Sequence, residues 1–370
     1  LVAWTDGAGR PGPGVERSDD EYDIVVASGE QVTAGLLALT LRNMGLNARS
    51  WMGWQIPILT DDAHGRARIE DVPGEVLGAA MDKGEIAVVP GFQGVSRSGR
   101  ITTLGRGGSD TSAVAVAAAL DCPCDIYTDV DGVYTTDPRI ESRARRLEKI
   151  SYEEMLEMAS LGAKVLQTRS VELAMARRVP LRVLSSFIEP DENGVLPAKS
   201  GTLICDEEEI VEKRIVSGVT MSRDEARITL LGLSDRVEAP ADVFARLAEA
   251  NVNVDMIVQS QARSEGAVNL TFTTGRRDAA RAAELMRAAQ AQLGFEELRV
   301  DEDVAKVSVV GVGMRSHAGV AQTMFRALAD KGVKFQAIST SEIKISVLID
   351  AAYAELAVRA LHAAYGLEEV

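Results

Sequence analysis

The stretch Thr102–Ala113 reads TTLGRGGSDTSA and sets three glycines around the single arginine Arg106. Glycine tolerates positive φ and lets the backbone approach a ligand closely, so this density of glycine predicts a tight loop. The alanine-rich run Ala113–Leu120 predicts a buried helix, with Ser109 or Asp110 as its cap. A helix start favours an anion, and a guanidinium matches a carboxylate or phosphate. The stretch therefore predicts an anion-binding loop; the alternative is an ordinary glycine-rich turn with a surface arginine.

Up to about residue 205, short apolar runs that suit strands alternate with amphipathic segments that suit helices. The predicted strands are Leu46–Trp51, Glu85–Phe92, Asp125–Asp129, Leu181–Ser185 and Thr202–Ile204. The predicted helices are Gln31–Met44, Pro73–Lys83, Tyr152–Leu161 and Thr168–Arg177. Tyr22–Ala27 suits the end of a helix or a strand, which places Glu30 at a junction leading into the next helix. The alternation predicts an α/β sheet with helices on both faces.

An internal repeat follows the connector Asp206–Arg214. Ala226–Leu233 matches Ala305–Val312, and each is followed by a helix, two strands and a second helix. Val252–Val254 matches Val333–Phe335 at the start of the second strand of each copy. The spare strands are Val216–Ser222 and Leu298–Asp301. The repeat therefore predicts two small α+β units after the larger domain.

The composition of the chain excludes some classes of binding partner and indicates the cellular compartment. The net charge of -15 argues against nucleic acid or an anionic membrane as a partner. Cys122, Cys124 and Cys205 form no zinc-binding pattern, so we expect buried free thiols in a reducing cytoplasm. No apolar run is expected to reach membrane-spanning length, and no signal peptide is visible. The isolated histidines, expected to be structural or exposed, are His64, His317 and His362.

Thr102–Asp110 resembles the aspartate-binding signature of the aspartate kinases, in the amino-acid kinase superfamily. Three further stretches resemble motifs of this family in the expected order, and they are Ser28–Glu30, Thr128–Arg139 and Gly162–Leu166. The repeat is similar to tandem ACT domains, which sense amino acids. The resemblance implies an amino-acid kinase fold, with a parallel-rich central sheet and helices on both faces, followed by two α+β (ferredoxin-like) ACT domains. The implied domains are residues 1–210 for catalysis, 215–300 for the first ACT domain and 301–370 for the second.

The resemblance implies transfer of the ATP γ-phosphoryl group, with Mg²⁺, to the β-carboxylate of L-aspartate. The product is 4-phospho-L-aspartate, the first step toward lysine, threonine and methionine. A carboxylate is ionised near pH 7, so such catalysis depends on positioning and on neutralising charge rather than on a strong base. The sequence assigns no protein ligand to Mg²⁺. The family's first strand and Lys-Phe-Gly-Gly-Thr-Ser loop have no match, and the chain opens on Leu1, so we expect its beginning to be missing.

The resemblance also implies the site residues. The predicted substrate-binding residues are Glu30, Phe92, Thr103, Arg106, Ser109 and Asp110. The predicted nucleotide-binding residues are Thr128, Asp129, Tyr134, Thr135, Asp137, Arg139 and Lys164. The predicted catalytic residues are Arg106, Asp110 and Lys164. Arg106 is expected to hold the substrate α-carboxylate and Glu30 its ammonium group, while Lys164 meets the nucleotide.

Feedback inhibition by lysine, threonine or both is expected where the two sensing modules meet. The candidate effector-binding residues are Asp235, Val252, Asn253, Val254, Gln259, Lys334, Phe335, Ser341 and Glu342. Open sheet edges tend to be paired, so we expect a cytoplasmic homo-oligomer formed through the ACT domains.

Two alternatives remain beside this hypothesis. Another amino-acid kinase, acting on glutamate or a nucleotide, would lack the paired sensor repeats and the complete TTLGRGGSD stretch. A non-catalytic regulatory subunit is the alternative from a different functional class. Glu30, Arg106 and Lys164 argue against it, because a purely regulatory chain has no need of them.

Overall fold

The computed structural model describes residues 19–162, 165–192, 200–210, 214–262, 264 and 266–369, together with Val2 and Thr5. The chain divides into two compact units. The first unit comprises residues 1–133, 146–160 and 164–211. The second unit comprises residues 134–145, 161–163 and 212–370.

The first unit is a mixed α/β domain. Its described helices are α1 (Asp19–Asn43), α2 (Glu75–Met81), α3 (Gly108–Ala119), α4 (Tyr152–Ser160) and α5 (Thr168–Arg177). Its described strands are β1 (Ala48–Ser50), β2 (Leu59–Thr60), β3 (Ile69–Asp71), β4 (Ile86–Val88), β5 (Gln93–Ser96), β6 (Ile101–Thr103), β7 (Cys124–Thr128), β8 (Lys149–Ser151), β9 (Leu181–Ser185) and β10 (Thr202–Cys205). A short 3₁₀ helix follows at Glu207–Glu209.

Three sheets connect these strands, in the orders β1-β4, β3-β2-β5-β6 and β7-β9-β10-β8. The pairs β1–β4, β2–β5, β7–β9 and β8–β10 are parallel, whereas β2–β3, β5–β6 and β9–β10 are antiparallel. Strand β9 is central in its sheet, and Leu181, Val183 and Leu184 on it are fully buried. The predicted α/β class is therefore confirmed, with parallel and antiparallel pairs in the same sheets.

Helix α1 is continuous through Ser28–Glu30, where the sequence predicts a junction between two elements. Its buried positions follow one helical face across Ser28–Glu30, and they are Asp23, Ala27, Ala34 and Ala38. A glycine inside a helix costs only about 1 kcal/mol, so Gly29 does not end it. The prediction that Glu30 lies at a junction is therefore wrong, because Glu30 lies inside one continuous helix.

By length and composition, α1 is also the one described helix that could cross a membrane. The expectation that no apolar run reaches that length is therefore wrong. In its most apolar window, 17% of the residues are buried. The helix nevertheless contributes Asp23, a fully buried carboxylate that binds residues of other segments, and this makes α1 a packed element of the first unit.

The second unit contains two antiparallel sheets of four strands each. Its described strands are β11 (Gly218–Ser222), β12 (Ala226–Ser234), β13 (Ile257–Gln261), β14 (Ala267–Thr274), β15 (Glu297–Asp301), β16 (Val304–Val310), β17 (Phe335–Thr340) and β18 (Lys344–Asp350). Its described helices are α6 (Ala239–Glu249), α7 (Arg276–Ala288), α8 (Gln290–Leu293), α9 (Val320–Asp330) and α10 (Ala354–Ala364), with 3₁₀ turns at Val312–Ser316 and Ala351–Tyr353.

The two sheets have equivalent orders, β13-β14-β12-β15 and β17-β18-β16-β11. Each covers its own hydrophobic core, centred on Phe272 and Met286 in the first repeat and on Met324 and Val347 in the second. Strand β11 precedes the first repeat in the chain, yet it pairs with β16 of the second. The predicted tandem repeat is confirmed, and the spare strands become the fourth strand of each sheet.

Val252–Val254 lies ahead of β13 rather than in a strand, which corrects the prediction for this segment. Asn251 adopts a positive φ of 53°, which turns the chain away from extended geometry. The carbonyl of Asn253 then accepts a hydrogen bond from the Thr274 hydroxyl instead of joining a ladder.

Candidate active site

The glycine-rich loop joins β6 to α3. Gly105 and Gly107 have φ of 76° and 72°. A Cβ on Gly107 would lie 1.8 Å from Cγ of Gln167, and one on Gly108 would lie 2.9 Å from Phe92 Cδ2. Positive φ and close approach therefore both require glycine at position 107.

Helix α3 begins at Gly108, and Gly107 occupies the cap position with no side-chain hydrogen bond. The prediction that Ser109 or Asp110 caps the helix is wrong, because both lie in its first turn. The N–H groups of this turn are consequently not occupied by a capping side chain, which is the arrangement that suits an anion.

Arg106 is exposed at the tip of this loop. It forms no ion pair with a carboxylate in the part of the chain that the structure describes. Asp110 is half-buried one turn along the chain, and burial raises the pKa of its carboxyl group. Ser109 is exposed beside it. Among the described residues, the loop thus presents a guanidinium that no carboxylate pairs with.

Thr103 lies at the opposite end of the loop and is only 1% exposed. Its hydroxyl donates to Asp23 Oδ1 at 2.5 Å, and its backbone N–H donates to Asp23 Oδ2 at 2.9 Å. The side chain therefore faces the interior of the unit and anchors the loop to α1.

Phe92 and Glu30 are tied to the same loop by hydrogen bonds of their neighbours. The carbonyl of Phe92 accepts from the Leu104 N–H at 2.9 Å. The next residue, Gln93, accepts a hydrogen bond from the side chain of Gln31 at 2.8 Å and donates to the Ala27 carbonyl at 3.2 Å. Since Glu30 precedes Gln31 on α1, the predicted substrate-binding residues Glu30 and Phe92 lie in the same part of the first unit as the glycine-rich loop.

Arg169, on α5, is a residue that the sequence analysis missed. Its guanidinium donates to the carbonyl of Leu104 at 2.6 Å and to that of Ala67 at 2.9 Å. It therefore fixes the backbone of the glycine-rich loop at Leu104, two residues before Arg106. The sequence shows only that an arginine follows Gly162–Leu166. It does not indicate that this arginine donates to carbonyl groups 65 and 102 residues away in the chain.

The stretch Thr128–Arg139 begins in the first unit, where Thr128 ends β7. Its hydroxyl donates to Asp129 at 3.1 Å, and Asp129 is exposed. Carboxyl ends of parallel strands are common ligand positions in α/β sheets, and β7 pairs in parallel with β9.

Tyr134–Arg145 belongs to the second unit. Thr135 is fully buried, and its hydroxyl lies 2.9 Å from Nε2 of His362 on α10. Asp137 and Arg139 pair with each other at 2.7 Å, and this contact lowers the pKa of Asp137. The hydroxyl of Thr135 is thus part of a core contact. Lys164 lies outside the described residues.

His362 is confirmed as a structural histidine. It is fully buried, and burial lowers its pKa. Glu141 nearby is also buried, and hydrogen bonds from Arg143 hold its pKa at about 2.

The candidate effector residues lie at the ends and edges of the two ACT sheets. Asp235 is exposed after β12, and Gln259 is exposed on the edge strand β13. In the second repeat, the ring of Phe335 packs 5.2 Å from that of Phe325, and Glu342 pairs with Arg315 at 3.4 Å. The exposed members are Asn253, Lys334 and Ser341, whereas Val252 is buried and Val254 half-buried.

Comparisons with known proteins show which family the chain resembles. The model of the amino acid kinase family matches residues 11–185, and an ACT domain model matches residues 307–365. The aspartokinase of Pseudomonas aeruginosa is 52% identical over 351 residues, which are 94% of this chain and 83% of that protein. The aspartokinase of Corynebacterium glutamicum is 47% identical over 94% of this chain and 82% of its own length.

Solved structures give the same result. A crystal structure of E. coli aspartokinase III in complex with aspartate and ADP superposes with a TM-score of 0.76 at 30% identity, over 95% of this chain and 77% of that one. The same enzyme in complex with lysine and aspartate gives a TM-score of 0.71 at 29% identity, over 94% and 76%. With half of its residues identical to those of curated relatives over most of their length, the chain belongs to the aspartokinase family, the amino acid kinases that phosphorylate aspartate and carry C-terminal ACT domains.

Proposed function

We propose that the glycine-rich loop binds L-aspartate through Arg106, which pairs with the α-carboxylate. The observation that carries this assignment is an exposed guanidinium without an ion-pair partner in the described residues, in a loop whose backbone is fixed at Thr103 and Leu104, just before Arg106. A bidentate guanidinium–carboxylate contact supplies both charge and orientation. Glu30 on α1 takes the ammonium group, and Phe92, Ser109 and Asp110 complete the surroundings, while Thr103 anchors the loop through Asp23.

In the proposed reaction, an oxygen of the aspartate β-carboxylate attacks the γ-phosphorus of ATP. The bond to the β–γ bridging oxygen breaks, and ADP and 4-phospho-L-aspartate are the products. No proton has to leave the nucleophile, so the enzyme's contribution is to position two anions and neutralise their charge. The ADP in the E. coli relative supports a nucleotide substrate of this kind.

The nucleotide contacts proposed for the first unit are Thr128, Asp129 and Lys164. The described residues contain no group of three or more His, Cys, Asp and Glu side chains that could hold a metal ion. Mg²⁺ in kinases binds one or two carboxylates together with the substrate phosphates, so this finding is compatible with a Mg²⁺ that enters with ATP. We assign it no protein ligand.

Lysine, threonine or both are the proposed effectors, bound at the edges of the ACT sheets near Asn253, Gln259 and Ser341. The lysine complex of the E. coli relative supports an amino-acid effector. Strands β13 and β17 are edge strands, and we propose that a second copy of the chain pairs along them. Binding at that junction inhibits only if it favours a less active arrangement of the protein. The proposed compartment is the cytoplasm, which supplies ATP and keeps the three thiols reduced.

The substitution Arg106→Ala tests the substrate assignment. The KM for aspartate should rise about 30- to 1000-fold, because a charge-assisted bidentate contact is lost, while the KM for ATP changes little. Steady-state kinetics with each substrate varied in turn measures both constants. A hydroxylamine trap for the acyl phosphate identifies the product.

Arg97→Ala is the matched control. Arg97 is an exposed arginine of the same unit, and it pairs with Glu70 at 2.8 Å on the surface. Both KM values should remain those of the wild type in this variant. An unchanged aspartate KM in Arg106→Ala would remove Arg106 from the substrate site.

A further inference from the structure

We infer that Asp23 is a positioning residue for aspartate binding: its buried carboxylate fixes Thr103 and hence the glycine-rich loop that carries Arg106. The inference rests on the proposed function, since it takes that loop as the substrate site. Asp23 belongs to none of the motifs that the sequence analysis singled out.

The carboxylate of Asp23 is a hub between three segments of the first unit. Oδ1 accepts from the Thr103 hydroxyl at 2.5 Å, and Oδ2 accepts from the Thr103 N–H at 2.9 Å. The Gly65 N–H lies 3.1 and 3.0 Å from the two oxygens, and Nδ1 of His64 donates to Oδ2 at 2.9 Å. Helix α1, the turn at His64–Gly65 and the end of β6 therefore meet on one side chain.

Burial prevents water from replacing the hydrogen-bond partners of Asp23. Asp23 is fully buried, and Thr103 is 1% exposed, so neither group can exchange its partner for bulk water. A buried carboxylate is tolerated only where donors surround it, and each lost donor leaves an unsatisfied acceptor. The arrangement therefore fixes the backbone of Thr103 as well as its side chain.

A second contact fixes the next residue of the loop. The guanidinium of Arg169 holds the carbonyl of Leu104, the residue after Thr103. The turn bound by Asp23 continues to Ala67, whose N–H donates to the Thr103 carbonyl at 2.9 Å and whose own carbonyl accepts from Arg169. The anionic side chain of Asp23 thus holds Thr103, and the cationic side chain of Arg169 holds Leu104. Arg106 follows Leu104 by two residues. Misplacing Arg106 by a fraction of its reach should weaken aspartate binding without touching the nucleotide contacts.

The test compares Asp23→Asn with Thr103→Val in the full chain. In Asp23→Asn, the amide group places a donor where only donors approach, so we expect the aspartate KM to rise about 10- to 100-fold with little change in the ATP KM. Thr103→Val removes the hydroxyl but keeps the backbone contact, and a smaller rise is expected. Because both changes act through one contact, the double variant should raise the aspartate KM by less than the product of the two single effects.

Glu154→Gln is the matched control. Glu154 is a buried carboxylate of the same unit, 2% exposed, and it accepts hydrogen bonds from the N–H and hydroxyl of Ser151 at the start of α4. Its loss should lower the melting temperature and leave both KM values unchanged. This pattern separates a general loss of stability from a positioning effect.

The outcomes distinguish the inference from the function it rests on. A selective rise in the aspartate KM for Asp23→Asn and Thr103→Val supports the inference. If Arg106→Ala raises the aspartate KM but both of these variants keep the wild-type value, Asp23 is only structural and the proposed function stands. If Arg106→Ala has no effect, the proposed function fails first. Should Asp23→Asn not fold, His64→Ala removes one donor from the same carboxylate, and an unchanged aspartate KM in that variant overturns the inference.

Discussion

Phe92 adopts a left-handed backbone conformation, with φ of 69°, which is rare for a bulky residue. Its N–H donates to the Ser112 hydroxyl on α3 at 3.0 Å, and its carbonyl accepts from Leu104. Such a conformation costs about 1–3 kcal/mol and persists only where its surroundings enforce it. Here the enforced bend brings the strand after β4 against the first turn of α3, which is the turn that follows Arg106.

His362 gives a prediction about pH at the scale of one side chain. Burial lowers its pKa below the ordinary value of 6.5, and the charged groups that act on it are Glu141, Arg143 and Glu368. The imidazole of His362 therefore binds a proton near pH 6.5 in the unfolded chain, but only at lower pH in the folded chain. The contribution to the free energy of unfolding is complete above about pH 6.5 and declines as the pH falls toward the lowered folded pKa.

His362→Gln removes this titration while keeping a polar group near Thr135. Urea unfolding at several pH values between about 7.5 and 5.5 should show a wild-type stability that falls with acidity more steeply than that of the variant. Equal slopes in wild type and His362→Gln would contradict the prediction.

At the scale of elements, the glycine-rich loop combines positive φ with crowding. Gly107 and Gly99 have nearly the same φ, 72° and 78°. A Cβ on Gly107 would meet Gln167, whereas one on Gly99 would meet nothing within 4 Å. The pair therefore separates backbone strain from steric exclusion.

Gly99→Ala should cost about 1–2 kcal/mol of stability, the usual penalty for a left-handed alanine, with normal kinetics. Gly107→Ala should cost more, and it should also raise the aspartate KM because α5 or the loop must move to admit the methyl group. Urea unfolding and steady-state kinetics on both variants provide the measurements. Similar losses in the two variants would show that the contact with Gln167 is not restrictive.

Elements with local signals were predictable from the sequence. Helix Thr168–Arg177 and strand Leu181–Ser185 were predicted to the residue, because their periodicity and boundaries depend only on neighbouring positions. Asp23 was not predictable, because its partners lie 41 to 80 residues away in the chain. Thr135 was predicted as a nucleotide contact from its motif, and nothing local indicates that its hydroxyl meets a histidine 227 residues later.

At the scale of the whole molecule, the ACT sheets leave two edges in the described residues on which apolar side chains are exposed. Ile257 on β13 is 51% exposed, and Phe335 on β17 is 44% exposed. Edges of this kind are usually covered by another strand. The proposed covering strand comes from a second copy of the chain.

Ile257→Arg should therefore shift the protein toward the monomer and weaken inhibition by lysine or threonine, because a charge would be placed at the proposed junction. Val237→Arg is the control, since Val237 is 94% exposed in the loop before α6. Sedimentation velocity and effector titrations measure assembly and inhibition. A monomeric wild type, or an unchanged assembly in Ile257→Arg, would contradict the proposed pairing.

The assignment of Tyr134–Arg145 to the second unit bears on how such enzymes can be recombined. This segment is bound to the C-terminal end of the chain by Thr135 and His362, by the ion pair of Arg143 with Glu368, and by Arg145, which donates to the Glu368 carbonyl. A chimera with a single crossover after the kinase domain would join two halves of these contacts from different parents. We expect a chimera with an exchanged C-terminal part, residues 212–370, to fold only when residues 134–145 are taken from the same parent as a second, short insert.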